Sequence, residues 1–309
     1  MKAIQIRQYG DFSNLQEVEI EKPGIQENQV LIKISASAVN PIDIKLRTGF
    51  LAAVMPKNLP FTLGWEAAGT ITEVGSDVSG FKVGDEVYTM PNFMQGGTYA
   101  EYVAVNATEI ALKPRTLSFL QAATVPMVAG AAYTSLMTIA QISQGQKVLI
   151  HGAAGAVGSF AVQLAKSKGA YVIGTAQGAG IDLIKSLGAD EVVDYTKVDF
   201  ANSVSDLDVV LDLVGGETLA KSYGLVKKGG IVVSAVMPTS QEQTNILGIR
   251  GVMAQTPPDG KMFSAIATLI DGGKLKVQEP VVYSLAEAQK AHQAIENRTA
   301  KGKIVFQIA

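Results

Sequence analysis

Val148-Leu149-Ile150-His151-Gly152-Ala153-Ala154-Gly155-Ala156-Val157-Gly158 is the stretch on which the fold turns. An apolar run closes on small residues, and the chain then continues with Val157, Ala161, Val162, Leu164 and Ala165 at helical spacing. A strand that ends in a turn without bulky side chains lets backbone N–H groups reach a phosphate, and a helix starting there adds a dipole favourable to negative charge. Ala153-x-Gly155-x-x-Gly158 occupies the positions of the dinucleotide fingerprint, with Ala153 replacing the first glycine and Gly152 just before it. The turn therefore predicts a pyrophosphate held by Gly152, Ala153, Ala154, Gly155, Ala156 and Val157, with Gly158 letting helix and strand approach.

Working outward, residues 171–175 read as a second strand about 20 residues on, where an acid would bind the ribose 2′-hydroxyl of NAD. Here the strand ends Gly174-Thr175-Ala176-Gln177, without an acid, so a 2′-phosphate meets no repulsion. NADP(H) is the predicted cofactor, with Thr175, Ala176 and Gln177 beside it; Lys185 is the nearest downstream base. The alternation continues with a helix over 181–187, an extended 191–193, a strand over 207–213 around Asp208 and Asp212, and Gly229-Gly230 turning into a strand over 231–234. Upstream, 119–124 and 130–142 read as helices. Such β-α-β alternation predicts a parallel sheet with helices on both faces, and the apolar run 230–236 suits an edge or adjacent strand.

The first hundred residues have another rhythm. Residues 30–34, 69–74, 81–88 and 97–105 read as strands separated by Gly, Pro and Asn without helices between them, which predicts an antiparallel, barrel-like lobe. The tail reads as helices over 262–271 and 285–296 and a strand over 303–308; periodicity alone leaves open whether that strand joins the parallel sheet or the first lobe.

Composition narrows the function classes. At 309 residues with 47% hydrophobic and 17% charged residues the chain suits two packed domains. A net charge of −2 without long like-charge runs argues against a nucleic-acid partner. No secretory pattern or membrane-length apolar run is present, so a cytoplasmic protein without a membrane partner is expected. The chain has no cysteine and two histidines, which excludes disulfides, thiolate zinc sites and cysteine nucleophiles.

Several ordered motifs carry a wider resemblance: Ala38-Val39-Asn40-Pro41-Ile42-Asp43, Leu63-Gly64-Trp65-Glu66-Ala67-Ala68-Gly69, Val83-Gly84-Asp85-Glu86-Val87, the phosphate turn, Leu187-Gly188-Ala189-Asp190 through Asp194-Tyr195, and Val214-Gly215-Gly216. With them the chain resembles the medium-chain dehydrogenase/reductase superfamily, specifically its zinc-free quinone oxidoreductase branch. The resemblance implies an α/β fold: a GroES-like β-rich catalytic domain (1–117), a Rossmann doubly wound parallel sheet (118–257), and a C-terminal segment (258–309) returning to the first domain, with the nicotinamide in the cleft between domains. Zinc-dependent members place a histidine before the glutamate in the segment matching Gly64-Trp65-Glu66 and a cysteine in that matching Asn40 to Asp43; neither is here. No zinc is expected, since Glu66 alone makes no tetrahedral site.

The resemblance also assigns site residues. Asn40 matches an asparagine contacting cofactor and substrate, although Asn-Pro is also a turn signal. Asp43 either orients a substrate or caps a helix over 44–48. Thr134 matches a threonine presented to the nicotinamide amide, Tyr195 a tyrosine on the adenosine side, and Lys303 a lysine near a cofactor phosphate or simply at the surface. Val214 and Ser234, at strand ends, line the nicotinamide-ribose side. His151 reads as packing near the turn and His292 as a partly exposed helix residue. The chemistry implied is hydride transfer to a small-molecule acceptor, a quinone, an enone or an aldehyde-like carbonyl, with no obligatory catalytic side chain. An enoyl-thioester reductase is an alternative, disfavoured because no tyrosine lies between Tyr9 and Tyr88; a non-enzymatic, redox-sensing NADPH-binding protein is another. A homodimer paired through the Rossmann sheet edge is the family habit.

Overall fold

A computed structural model describes residues 1–300 and 302–308. The chain divides into two units, Val128–Thr256 with Gly272–Lys276, and Met1–Met127 with Pro257–Asp271 and Val277–Ala309.

In the unit that contains the phosphate turn, six parallel strands lie in the order Glu191–Asp194, Tyr171–Ala176, Lys147–Ile150, Leu207–Asp212, Val226–Ser234, Arg250–Met253. Counted along the unit this is 3-2-1-4-5-6, the doubly wound order in which ligands bind beyond the carboxyl ends of the strands. The central strand is unbroken Val148-Leu149-Ile150, each fully buried, because a parallel strand is covered on both faces. Between strands run the helices Ala156–Ser167, Ala179–Ser186, Gly216–Ser222 and Gln241–Leu247. The apolar run from Gly230 belongs to the penultimate strand; the edge is Arg250–Met253, too short and polar to read from sequence. The long helix expected over 130–142 instead begins as Pro126–Tyr133 and continues as a π-helical stretch, Thr134–Ile139, a distortion frequent at functional sites.

The other unit is mainly antiparallel. Its larger sheet runs Val281–Ser284, Ile304–Gln307, Gln29–Ala38, Ala67–Val74, Glu86–Thr89, Ile110–Leu112, with Tyr102–Asn106 also on Gln29–Ala38. A smaller sheet holds Gln16–Glu19, Lys2–Ile6 and Phe61–Thr62. Ile304–Gln307 pairs antiparallel with Gln29–Ala38, which resolves where the tail strand goes. One core gathers Val30, Ile32, Ile34, Val87 and Val105; another gathers Ile4, Ile6, Trp65, Tyr99 and Phe306. Burying each aromatic of the second contributes roughly 2–3 kcal/mol. Among the described residues no helix is long and apolar enough to cross a membrane.

Candidate active site

In the unit with the parallel sheet, the candidate cofactor residues gather at the turn after Lys147–Ile150. Gly152 has φ +66°, a conformation that glycine adopts without strain. A Cβ on Gly158 would lie 2.3 Å from the Gly152 carbonyl oxygen and 2.6 Å from Ala153 Cα, so only glycine lets the helix sit this close to the turn. The Gly152 N–H donates to Thr175 Oγ1 (3.2 Å), the Ala153 N–H to the Thr175 carbonyl (3.2 Å) and the Gly155 N–H to the Gly152 carbonyl (3.0 Å). The helix Ala156–Ser167 carries no acid in its first turn, and the N–H groups of Ala156 and Val157 have no intrahelical acceptor. A small-residue cradle with first-turn amides open and no acid in the first turn of the helix fits a dinucleotide pyrophosphate.

His151 braces this turn. Its Nδ1 meets Thr175 Oγ1 at 3.3 Å and its Nε2 meets Ser222 Oγ at 3.0 Å, and the ring packs edge-on to Phe200. Burial pushes its pKa down to about 4, against a weaker upward pull from Asp212, so the ring is neutral at physiological pH. The sequence reading of His151 as packing matches these contacts.

Asp212 is a buried anchor of two strand ends that the sequence did not reveal as one. Its buried carboxylate accepts from the Val214 (3.1 Å) and Gly215 (2.8 Å) N–H groups and from Ser234 Oγ (2.8 Å). Ser234 Oγ in turn accepts weakly from Val236 and Met237, so the ends of two strands are tied together. Val214 is left 56% exposed beyond the sheet. Tyr195 is also exposed, following Asp194, which pairs in register with Ala176. The Asp194 carboxylate is engaged by Thr196 and Lys197, and the Thr196 hydroxyl holds its pKa below the usual range. Thr134 is buried at the start of the π-helical stretch.

The candidate substrate-side residues lie in the other unit, where their convergence follows from strand direction. Gln29–Ala38 is flanked by antiparallel Ala67–Val74 and Ile304–Gln307, so its end meets the beginnings of both neighbours. Asn40, Glu66 and Lys303 therefore converge across great sequence distance. Lys303 Nζ lies 2.7 Å from Glu66 Oε1 and also hydrogen-bonds Asn40 Oδ1; Asn40 Nδ2 donates to Glu66 Oε1 (2.8 Å), and the Met127 N–H donates to Glu66 Oε2 (2.8 Å). Glu66 is fully buried, and its carbonyl accepts from Ser37 Oγ (2.9 Å) and Thr98 Oγ1 (3.2 Å). Lys303 is thus not a surface lysine: its ammonium pairs with a buried carboxylate. Both Glu66 oxygens are engaged, and among the described residues no cluster of three metal-ligating side chains exists.

Asp43 corrects a second expectation. The helix starts at Pro41, not at 44; Asn40 is the N-cap and Asp43 the third residue, whose Oδ2 accepts from the Asn40 N–H at 2.6 Å. Burial raises its pKa to about 7, although the Asn40 N–H and the Lys303 charge pull the other way. His292 is corrected too: it is fully buried, its Nε2 3.3 Å from the Tyr99 hydroxyl, and burial with the Arg47 charge beside it holds its pKa near 3. Neither Tyr99 nor the ion pair of Arg47 and Glu296 (2.6 Å) was signalled by sequence spacing.

Residues 26–115 match the alcohol dehydrogenase GroES-like domain family and residues 187–306 the zinc-binding dehydrogenase family. The 2-methylene-furan-3-one reductase of Solanum lycopersicum is 39% identical over 99% of this chain and 79% of its own length. The chloroplastic NADPH-dependent alkenal/one oxidoreductase of Arabidopsis thaliana is 36% identical over 99% and 79%. Among solved structures, the quinone oxidoreductase from Coxiella burnetii superposes with a TM-score of 0.91 at 35% identity, covering 100% of this chain and 99% of its own. The chain belongs to the medium-chain dehydrogenase/reductase superfamily, in its quinone oxidoreductase branch.

Proposed function

We propose that the protein is a zinc-independent, NADPH-dependent oxidoreductase that reduces quinones or α,β-unsaturated carbonyls. The observation that carries this reading is that the chain holds both a glycine-built phosphate turn, with no acid in the first turn of its helix, and a buried ammonium at Lys303 on the carboxylate that zinc-dependent relatives use as part of a metal site. Bound NADPH supplies a hydride. The turn 152–157 holds the pyrophosphate, Thr175, Ala176 and Gln177 admit the 2′-phosphate, and Tyr195 packs on the adenosine side. Val214, Ser234 and Thr134 position the nicotinamide half. Asn40 and Asp43 belong to the substrate side, and Lys303 moves there with them as the group that neutralises charge on the acceptor oxygen after hydride arrives. The Glu66 carboxylate and Asn40 amide orient that ammonium.

Domain limits of 1–117, 118–257 and 258–309, a cytoplasmic location and a homodimer complete the proposal. The exposed Ile246, Leu247 and Met253 near the edge strand Arg250–Met253 support the dimer, which light scattering reads directly. The function is tested by following NADPH oxidation across quinones, enones and aldehydes. Turnover with quinones or enones supports it; NADPH binding without oxidation by any acceptor favours a redox-sensing binding protein instead.

A further inference from the structure

The reduction needs a proton as well as a hydride, and the GroES-like unit contains a buried ladder of polar groups suited to bringing one in. Asp43 and Arg47 stand one turn apart on the helix Pro41–Arg47, and His292 and Glu296 stand one turn apart on Ala288–Glu296. Arg47 is fully buried and bridges outward to the partly exposed Glu296, while also donating to the Gly10 carbonyl (3.0 Å). Inward, His292 Nε2 meets the Tyr99 hydroxyl, which lies beside Asp43; Asp43 accepts from the Asn40 backbone N–H, and the Asn40 side-chain Oδ1 accepts from Lys303.

Three buried side-chain atoms lack hydrogen-bond partners among the described residues, Asp43 Oδ1, Arg47 Nε and His292 Nδ1, and all three belong to this one ladder. Buried polar atoms in folded proteins are paired or bridged by water, so three orphans on facing helices mark a hydrated path. Tyr99 is fully buried among Ile4, Phe306 and Trp65 and spends its only polar atom here. A purely structural buried cluster would satisfy its members; this one leaves a donor or acceptor open on Asp43, Arg47 and His292.

We propose that His292, Tyr99 and Asp43, with internal water, form a proton relay from solvent near Glu296 to Lys303. The inference rests on the reductase reading above. Hydride arriving on the acceptor leaves an oxyanion. A Lys303 N–H bond breaks as the acceptor O–H bond forms. The resulting amine takes a proton from the Asp43 carboxylic acid through an internal water at the open Asp43 Oδ1, and Asp43 regains one from the Tyr99 hydroxyl. Tyr99 is refilled from the protonated nitrogen of neutral His292, whose other nitrogen takes up a proton from water. The balance is one solvent proton per hydride. The groups facing Asp43 are Asn40, Lys303, Glu66 and Tyr99; those facing His292 are Tyr99 and Arg47. Asp43 titrates in the physiological range, so the supply of its acid form falls as pH rises through about 7.

The test compares wild type with Tyr99→Phe and Asp43→Asn, measuring kcat against pH in H2O and D2O with a quinone or enone. Both variants are expected to lose about 10-fold or more in kcat with KM for NADPH unchanged. The decline of kcat above neutral pH should vanish in Asp43→Asn, and the solvent isotope effect should rise in Tyr99→Phe. An activity-independent reading is the infrared carboxylic-acid band, expected to titrate near pH 7 in wild type and to be absent in Asp43→Asn. His292→Gln serves where Tyr99→Phe does not fold, with the same rise in isotope effect expected. Unchanged pH profiles and isotope effects in folded variants of an active enzyme overturn the relay. A wild type that transfers no hydride to any acceptor overturns the function itself.

Discussion

Breaking the Glu66–Lys303 pair from either side should cost far more than removing it whole. Glu66 is fully buried and the Lys303 side chain is 13% exposed, with 2.7 Å between the charges. Glu66→Gln keeps the shape and an acceptor for the Met127 N–H but leaves the ammonium with only Asn40 Oδ1. Breaking a buried pair typically costs about 3–5 kcal/mol, and the remaining partners place this case near the low end, about 3 kcal/mol. Lys303→Met leaves a buried carboxylate still held by Asn40 Nδ2 and the Met127 N–H, and should cost a similar amount. The double variant carries no uncompensated charge and should return to within about 1–2 kcal/mol of wild type, a coupling of several kcal/mol. Equilibrium denaturation followed by Trp65 fluorescence is the assay, because Trp65 is the only tryptophan, is fully buried and adjoins Glu66 in sequence. Additive losses in the double variant would refute the coupling. In the same series Lys303→Met should lower kcat about 10²- to 10³-fold, the scale for loss of one oxyanion donor.

Other consequences are as specific. Gly158→Val forces side-chain atoms onto the Gly152 carbonyl and should weaken NADPH binding by more than about 10-fold while the other unit stays folded, read by calorimetry and Trp65 fluorescence. NADPH should bind more tightly than NADH, since the strand end at Thr175-Ala176-Gln177 carries no acid; tighter NADH binding would reverse the cofactor assignment. Both histidines have folded pKa values below the unfolded one, so the unfolded chain takes up protons first and stability falls as pH drops from about 6.5 toward 4 and 3. Asp43 has the opposite sign: its folded pKa of about 7 makes the protein gain stability as pH falls from about 7. From pH 7 to 5 the histidines remove about 2 kcal/mol each and Asp43 returns about 2, leaving a net loss of about 2 kcal/mol that should nearly vanish in His151→Gln, as checked by denaturation at both pH values.

What the sequence disclosed was whatever is encoded locally. The phosphate turn was legible because strand, small-residue turn and helix follow one another within a dozen or so residues and each has its own periodicity. The absence of an acid after Thr175 was legible for the same reason. The burial of Lys303 was not legible because its partners, Asn40 and Glu66, are brought to it only by antiparallel pairing of three strands that are remote in sequence. Helical spacing alone could not tell a buried His292 from an exposed one, since it packs against Tyr99, which comes from a remote part of the sequence. Asp212 stood inside an apolar strand, and that anomaly was the available signal; a buried acid at a strand's end must find donors, and it found the Val214 and Gly215 amides.

Incubating the protein with NADPH deuterated at the transferable C4 position and an α,β-unsaturated ketone, followed by mass and NMR analysis of the product, tests the central claim most directly. One deuterium on the β-carbon of a saturated ketone, and a solvent-derived hydrogen on the α-carbon, is the predicted result. NADPH bound yet unconsumed, or product without deuterium, would contradict it.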